Sequence, residues 1–115
     1  MPAAAVASLQ TLERRVAPRA GVMRDGRVFR PDGLDASVLI VDLSDGGARL
    51  RQRGAERLPD LFVLADPRTF QAHQAQVVWR RDGELGVRLL RSQSLRGMVP
   101  AAFAAAKAFC ERGGR

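Results

Sequence analysis

Cysteine is almost absent from this chain. Cys110 stands alone, so no internal disulfide and no cysteine-built zinc site can form, which fits a reducing compartment. The single histidine, His73, has neither a second histidine nor a nucleophile pattern beside it, and it reads as a strand or turn residue rather than a base or a ligand. Catalysis therefore has no constellation to support it. No apolar run approaches the ~20 residues of a membrane span. Met1 to Gln10 also lacks the basic start and long apolar centre of a secretion signal. Internal repeats and long low-complexity linkers are missing too. Together these absences point to a cytoplasmic protein without membrane insertion, metal or enzymatic machinery.

What the chain has in excess is arginine. Eighteen arginines and one lysine give a formal net charge of +7. Arginine's planar fork suits phosphates and guanine edges, so the balance points to an anionic or nucleotide partner, although a coding bias toward arginine gives the same count. The 115 residues suffice for one domain that buries roughly two-thirds of its unfolded surface. A hydrophobic content of 46% predicts folding without a partner.

Ala3 to Leu12 is rich in alanine, with Val6, Leu9 and Leu12 at three-residue spacing, and predicts a short helix with one apolar stripe. Pro18 excludes a helix interior and pushes Ala17 toward extended geometry, so Arg15 and Arg19 fall on a loop. That loop, packed by little except its own charges, is expected to be mobile until an anion orders it.

From Ala20 the pattern changes to short strands and turns. Val22-Met23 and Val28-Phe29 look like strand material broken by Asp25-Gly26, and Pro31-Asp32-Gly33 marks the next turn. Ser37 to Leu43 is apolar on both faces, so both sides are expected to be covered. Ala48 to Arg51 is its partner, and Leu61 to Leu64 follows, with a turn at Asp66-Pro67. In Gln71 to Arg81, Ala75, Val77 and Trp79 alternate with polar residues, Val78 being a misfit, which places Trp79 in the core. Asp82-Gly83 turns the chain into Leu85 to Leu89. Six short strands at this spacing predict a mainly β protein, an antiparallel barrel whose closure removes exposed edges.

The carboxyl end returns to helix. Pro100 suits a first helical turn, Val99, Phe103, Ala106 and Cys110 share a face with Phe109 beside them, and Gly113-Gly114 stops the element. Its stripe is expected to bury against Ser37 to Leu43 or neighbouring strands. The predicted organisation is a helical extension over 1–13, a barrel with its arginine loop over 14–92, and a packed helix over 93–115.

The strongest short signal is Asp42-Leu43-Ser44-Asp45-Gly46-Gly47, between the apolar run Val38 to Val41 and Ala48-Arg49-Leu50. It reads as strand, tight turn and strand. Asp42 and Ser44, two apart on an extended backbone, present their side chains on one face, where they can address one ligand edge. Upstream lies a basic cluster, Arg14, Arg15 and Arg19, with the last two four apart. The two clusters are expected to meet in space.

An Arg-Arg-x-x-x-Arg run (Arg14, Arg15, Arg19) ahead of Asp-x-Ser-x-x-Gly (Asp42, Ser44, Gly47) resembles the PilZ domain family. The likeness continues through Leu58-Pro59-Asp60-Leu61-Phe62, Val77-Val78-Trp79-Arg80 and Gly86-Val87, covering about residues 14 to 90. It implies a six-stranded barrel that binds cyclic di-GMP, with the arginines on a flexible loop that wraps the ligand and the Asp and Ser on the barrel surface. On this reading Arg15 and Arg19 address phosphate oxygens and the guanine O6/N7 edge. Asp42 accepts from guanine N1–H and the exocyclic amine, with Ser44 as an adaptable neighbour. Gly46 and Gly47 complete the site, Gly47 providing a position without a β-carbon where φ is positive or the ligand approaches closely. In the family an arginine at the position of Arg14 accompanies an intercalated ligand dimer, which implies two ligands per site. No cofactor is implied besides this ligand.

Without an output domain, such a receptor acts in trans on a protein effector in a motility, pilus, exopolysaccharide or biofilm pathway. Two other readings stay open at this level. One is a ligand-independent PilZ-type interaction module; the other is nonspecific nucleic-acid binding by a basic barrel, with steep salt dependence.

Overall fold

A computed structural model describes residues 21–114. The helix expected at Ala3 to Leu12 and the cluster Arg14, Arg15 and Arg19 lie outside the described residues. The strands are β1 (Gly21–Phe29), β2 (Asp35–Leu43), β3 (Gly47–Arg51), β4 (Leu61–Asp66), β5 (Gln71–Arg81) and β6 (Glu84–Ser94). They close in the order β1-β2-β3-β6-β5-β4 as an antiparallel barrel, β1 meeting β4 through Arg27↔Ala65, Val28↔Leu64 and Phe29↔Val63. One helix, α1 (Ala104–Glu111), follows a single 3₁₀ turn at Ala101–Phe103. Fold class and strand count agree with the sequence expectation.

Asp25-Gly26 is not a turn. Strand β1 runs straight through it, Gly26 opposite Val38. A β-carbon there would stand 2.8 Å from Ile40 Cδ1 and 3.1 Å from the Ala65 carbonyl oxygen, so glycine serves close approach inside the barrel rather than chain reversal. The reversal occurs at Pro31-Asp32-Gly33, where Gly33 N–H donates to the Arg30 carbonyl at 3.0 Å and Leu34 N–H to Asp32 Oδ1 at 3.0 Å. Asp82-Gly83 closes β5 onto β6 with φ of 41° and 80°, the type I′ pattern its sequence predicts.

Two apolar layers result. Val28, Ile40, Leu50, Phe62, Leu64, Leu85 and Val87 fill the barrel interior. Outside it, Phe103, Ala106, Phe109 and Cys110 cover Ala65, Ala72 and Leu95. The helix therefore lies on β4 and β1 rather than on β2. The physical reason is fit. Alanines at 65 and 72 leave a shallow seat, and Phe29 meets Phe109 edge-on at 6.0 Å between ring centroids. The helix ends where Gly113 N–H donates to Cys110 O and Gly114 N–H to Phe109 O, the paired bonds of a Schellman stop.

Each end of the barrel is closed by an arginine. At one end Arg80 donates to the carbonyls of Ala55 and Leu58 at 3.0 and 2.8 Å and to Asp60 Oδ1 at 2.8 Å. At the other, Arg24 grips the fully buried Asp66 through Nε–Oδ1 at 3.1 Å and Nη2–Oδ2 at 2.6 Å, while the Arg68 amide donates to Oδ1 at 3.1 Å. His73, on β5 as a strand residue, is buried, with Nδ1 2.7 Å from Ser92 Oγ and Nε2 without a partner among the described residues. Burial lowers its pKa from 6.5, and nearby Asp66 opposes this only in part. Burial likewise pushes the Cys110 thiol up to about 11, leaving it protonated and inert.

Because the folded protein holds His73 neutral, the unfolded chain binds the extra proton once pH falls below 6.5, and stability drops from there toward the lower folded-state pKa. Thermal melts between pH 7.5 and 5 are expected to show this decline, flattened in His73→Gln. Phe103→Ala, which empties the seat of the helix, is expected to cost about 3 to 5 kcal/mol in denaturant unfolding.

Candidate functional site

The site begins with an irregularity in β2. Ile40 pairs with Leu50 and Asp42 with Arg49, so Val41 is an extra residue between them. Such a bulge re-aims the side chains that follow it. Ile40 stays in the barrel interior, and Asp42 emerges on the outer surface. There its Oδ2 forms an ion pair with Arg49 Nη2, 3.0 Å away.

Ser44 is the first residue past β2. Its amide and hydroxyl both donate to the Gly47 carbonyl, at 2.9 and 3.2 Å, which fixes the tight loop between β2 and β3. Gly46 lies in that loop, its carbonyl accepting the Leu89 amide at 3.0 Å, and Gly47 opens β3. Neither glycine has a positive φ. At Gly47 the constraint is proximity instead, since an added β-carbon would stand 3.1 Å from the Val87 carbonyl oxygen. The structure thus brings Asp42, Ser44, Gly46 and Gly47 together at one end of the barrel. It also pairs Asp42 with Gly21, the first described residue after the arginine cluster.

Cross-strand partners share a face of the sheet. Asp42↔Arg49, Arg49↔Gly86 and Trp79↔Gly86 therefore define one outward row across β2, β3, β6 and β5. Trp79 is consequently not a core residue. Val77 pairs with Val87 and Trp79 with Gly86, leaving Val78 as a second bulge that turns the indole outward, where it is 38% exposed. The ring lies on Gly86; a β-carbon there would sit 2.0 Å from the indole Nε1. The Arg81 guanidinium stacks over the indole at 5.5 Å. Beside this row Arg88 donates to Gln76 Oε1 at 2.9 Å and Arg51 pairs with Glu84 at 2.8 Å. The outer surface next to Asp42 is thus arginine-rich.

Among the described residues no group of three or more His, Cys, Asp or Glu side chains is placed to hold a metal ion, and no helix is long and apolar enough to cross a membrane. A shallow hollow lined by Ala55 and Arg80 to Glu84 lies at the opposite end of the barrel from Asp42.

The family model described as PilZ domain matches residues 13–98, about three-quarters of the chain. The chain belongs to the PilZ domain family. PilZ domains are cyclic di-GMP-binding receptor modules rather than enzymes, and the matched span includes both the arginine cluster and the Asp-x-Ser-x-x-Gly run. No curated protein matches the chain.

Two residues of the PilZ barrel surface escape a reading by alternation. Arg49 becomes a neighbour of Asp42 only through the bulged register, and Trp79 changes face at Val78. The one available signal was Val78 itself, an apolar residue out of phase. Gly86→Ala is expected to lift the indole off the sheet, lower stability by about 1 to 3 kcal/mol and red-shift the emission of this sole tryptophan while the far-ultraviolet dichroism of the barrel persists.

Proposed function

We propose that this PilZ protein is a cyclic di-GMP receptor in which the Arg14 to Arg19 segment closes over Asp42 and Ser44. The observation that carries the reading is the Gly21↔Asp42 register. Arg19 precedes Gly21 by two residues, so covalent geometry keeps its α-carbon within about 7 Å of the α-carbon of Gly21. Arg19 is thereby tethered near the carboxylate with which it is proposed to cooperate.

Each group has a role suited to its chemistry. Arg15 and Arg19 take phosphate oxygens and the guanine O6/N7 edge through paired, charge-assisted hydrogen bonds. Asp42 accepts from guanine N1–H and the exocyclic amine, Ser44 adjusts to the ligand, and the bare backbone at Gly46 and Gly47 leaves room beside them. Arg14 favours a second, intercalated ligand. Four to six charge-assisted bonds at about 1.5 to 3 kcal/mol each, less about 1 to 2 kcal/mol per ordered loop residue, leave low-micromolar affinity within reach. Ordering the arginine segment remodels the surface around the β2–β3 loop, and a protein effector in the cytoplasm reads that change in trans.

Titration calorimetry with cyclic di-GMP is expected to give saturable heat in the micromolar range, with a stoichiometry near two; absence of saturation at ~100 μM rejects the reading. Arg19→Ala is expected to lose about 2 to 5 kcal/mol of binding, mainly through faster dissociation. Comparable, steeply salt-dependent affinity for arbitrary oligonucleotides would instead mark a nonspecific basic surface.

A further inference from the structure

Arg49 faces Asp42 across the β2–β3 pair. We propose that Arg49 reads guanine together with Asp42, making the pair the base-specificity element of the site; this rests on the cyclic di-GMP reading above.

Arg49 projects from the middle of β3 beside Asp42, its side chain 42% exposed, with Nη2 in an ion pair with Asp42 Oδ2 at 3.0 Å. Its Nε is buried without a hydrogen-bond partner among the described residues. The inner part of the group therefore rests against the sheet while the terminal amino groups face outward with donor capacity to spare. A half-exposed ion pair of this kind contributes only about 0 to 1 kcal/mol to folding, so stability gives little reason for an arginine here.

The chemistry of the pair matches one base. Along its Watson–Crick edge guanine presents two donors and then an acceptor: the exocyclic amine, N1–H and O6. The Asp42 carboxylate offers two acceptors, and the oxygen that would meet N1–H is assigned as Oδ2, the one Arg49 already touches. A donor on Arg49 then lies on the O6 side. Acceptor, acceptor, donor is the complement of guanine. Adenine opposes it twice, since its N1 carries no proton and its exocyclic amine points a donor at the guanidinium. Arg49 need not leave Asp42 to act, because each carboxylate oxygen accepts more than one hydrogen bond.

The test measures cyclic di-GMP, cyclic di-AMP and cyclic di-IMP binding to the full chain, by calorimetry and by emission of the sole tryptophan, Trp79. Arg49→Ala is expected to lose about tenfold or more in cyclic di-GMP affinity, corresponding to about 1.4 kcal/mol, and its preference over cyclic di-AMP should narrow. Cyclic di-IMP keeps O6 and N1–H but lacks the amine, so the Arg49→Ala loss should persist with it. Arg49→Lys, with charge but no planar fork, should recover part of the affinity. If wild type binds and Arg49→Ala binds equally well or tighter, Arg49 only screens Asp42 and the assignment falls alone. If wild type takes up no cyclic di-GMP, the receptor reading falls and takes this one with it.

Discussion

The outward turn of Asp42 depends on one surplus residue in β2. A regular strand would alternate Ile40 in, Val41 out and Asp42 in, and would bury an uncompensated carboxylate inside the apolar barrel. Isolated charges are excluded from such an interior by several kcal/mol. The extra residue at Val41 resolves the conflict by resetting the register, so that Asp42 faces Arg49 instead of Ala48. Core packing and surface chemistry are thereby satisfied by the same segment. Val78 in β5 does the equivalent for Trp79, which would otherwise crowd the space filled by Leu85 and Val87.

The closed barrel makes these local devices useful. With every strand paired on both sides, the sheet has little freedom to adjust, and a side chain aimed outward by a bulge stays aimed. The barrel ends are secured separately, by Arg80 on the carbonyls of Ala55 and Leu58 and by Arg24 on Asp66. The second of these differs from the exposed pairs in kind. Asp66 is fully buried and receives two guanidinium bonds and an amide, so removing Arg24 would strand a charge, whereas the pairs at Asp42 and Glu84 stay in contact with water.

Much of this was legible in the residues. Alternation, turn residues and the apolar stripe of the last helix pointed to the six-stranded barrel, its Asp-Gly hairpin and the helix packed upon it. Turn chemistry misled at Asp25-Gly26, because the same dipeptide serves a reversal and a close approach, and only the three-dimensional position of Ile40 distinguishes them. Periodicity misled at Trp79, because a bulge inverts the phase of everything beyond it. The Asp42 to Gly47 run announced itself through its spacing. Arg49 did not, since its relation to Asp42 exists only across a strand pair whose register is shifted. Pairwise geometry of that sort is written in the sheet rather than in any local pattern.

The Gly21↔Asp42 pairing also bears on thermodynamics. A guanidinium carried on a free peptide would have to be recruited from dilute solution, with the full loss of translational freedom. In the proposed receptor, one joined through Ala20 and Gly21 to the strand beside Asp42 would be present there at an effective concentration in the millimolar range or above. The anchoring of β1 by Arg24 and Asp66, three residues into the strand, keeps that tether point fixed on the barrel. If the receptor reading holds, much of the entropy of assembling its two-sided grip would be surrendered when the chain folds, before any ligand arrives.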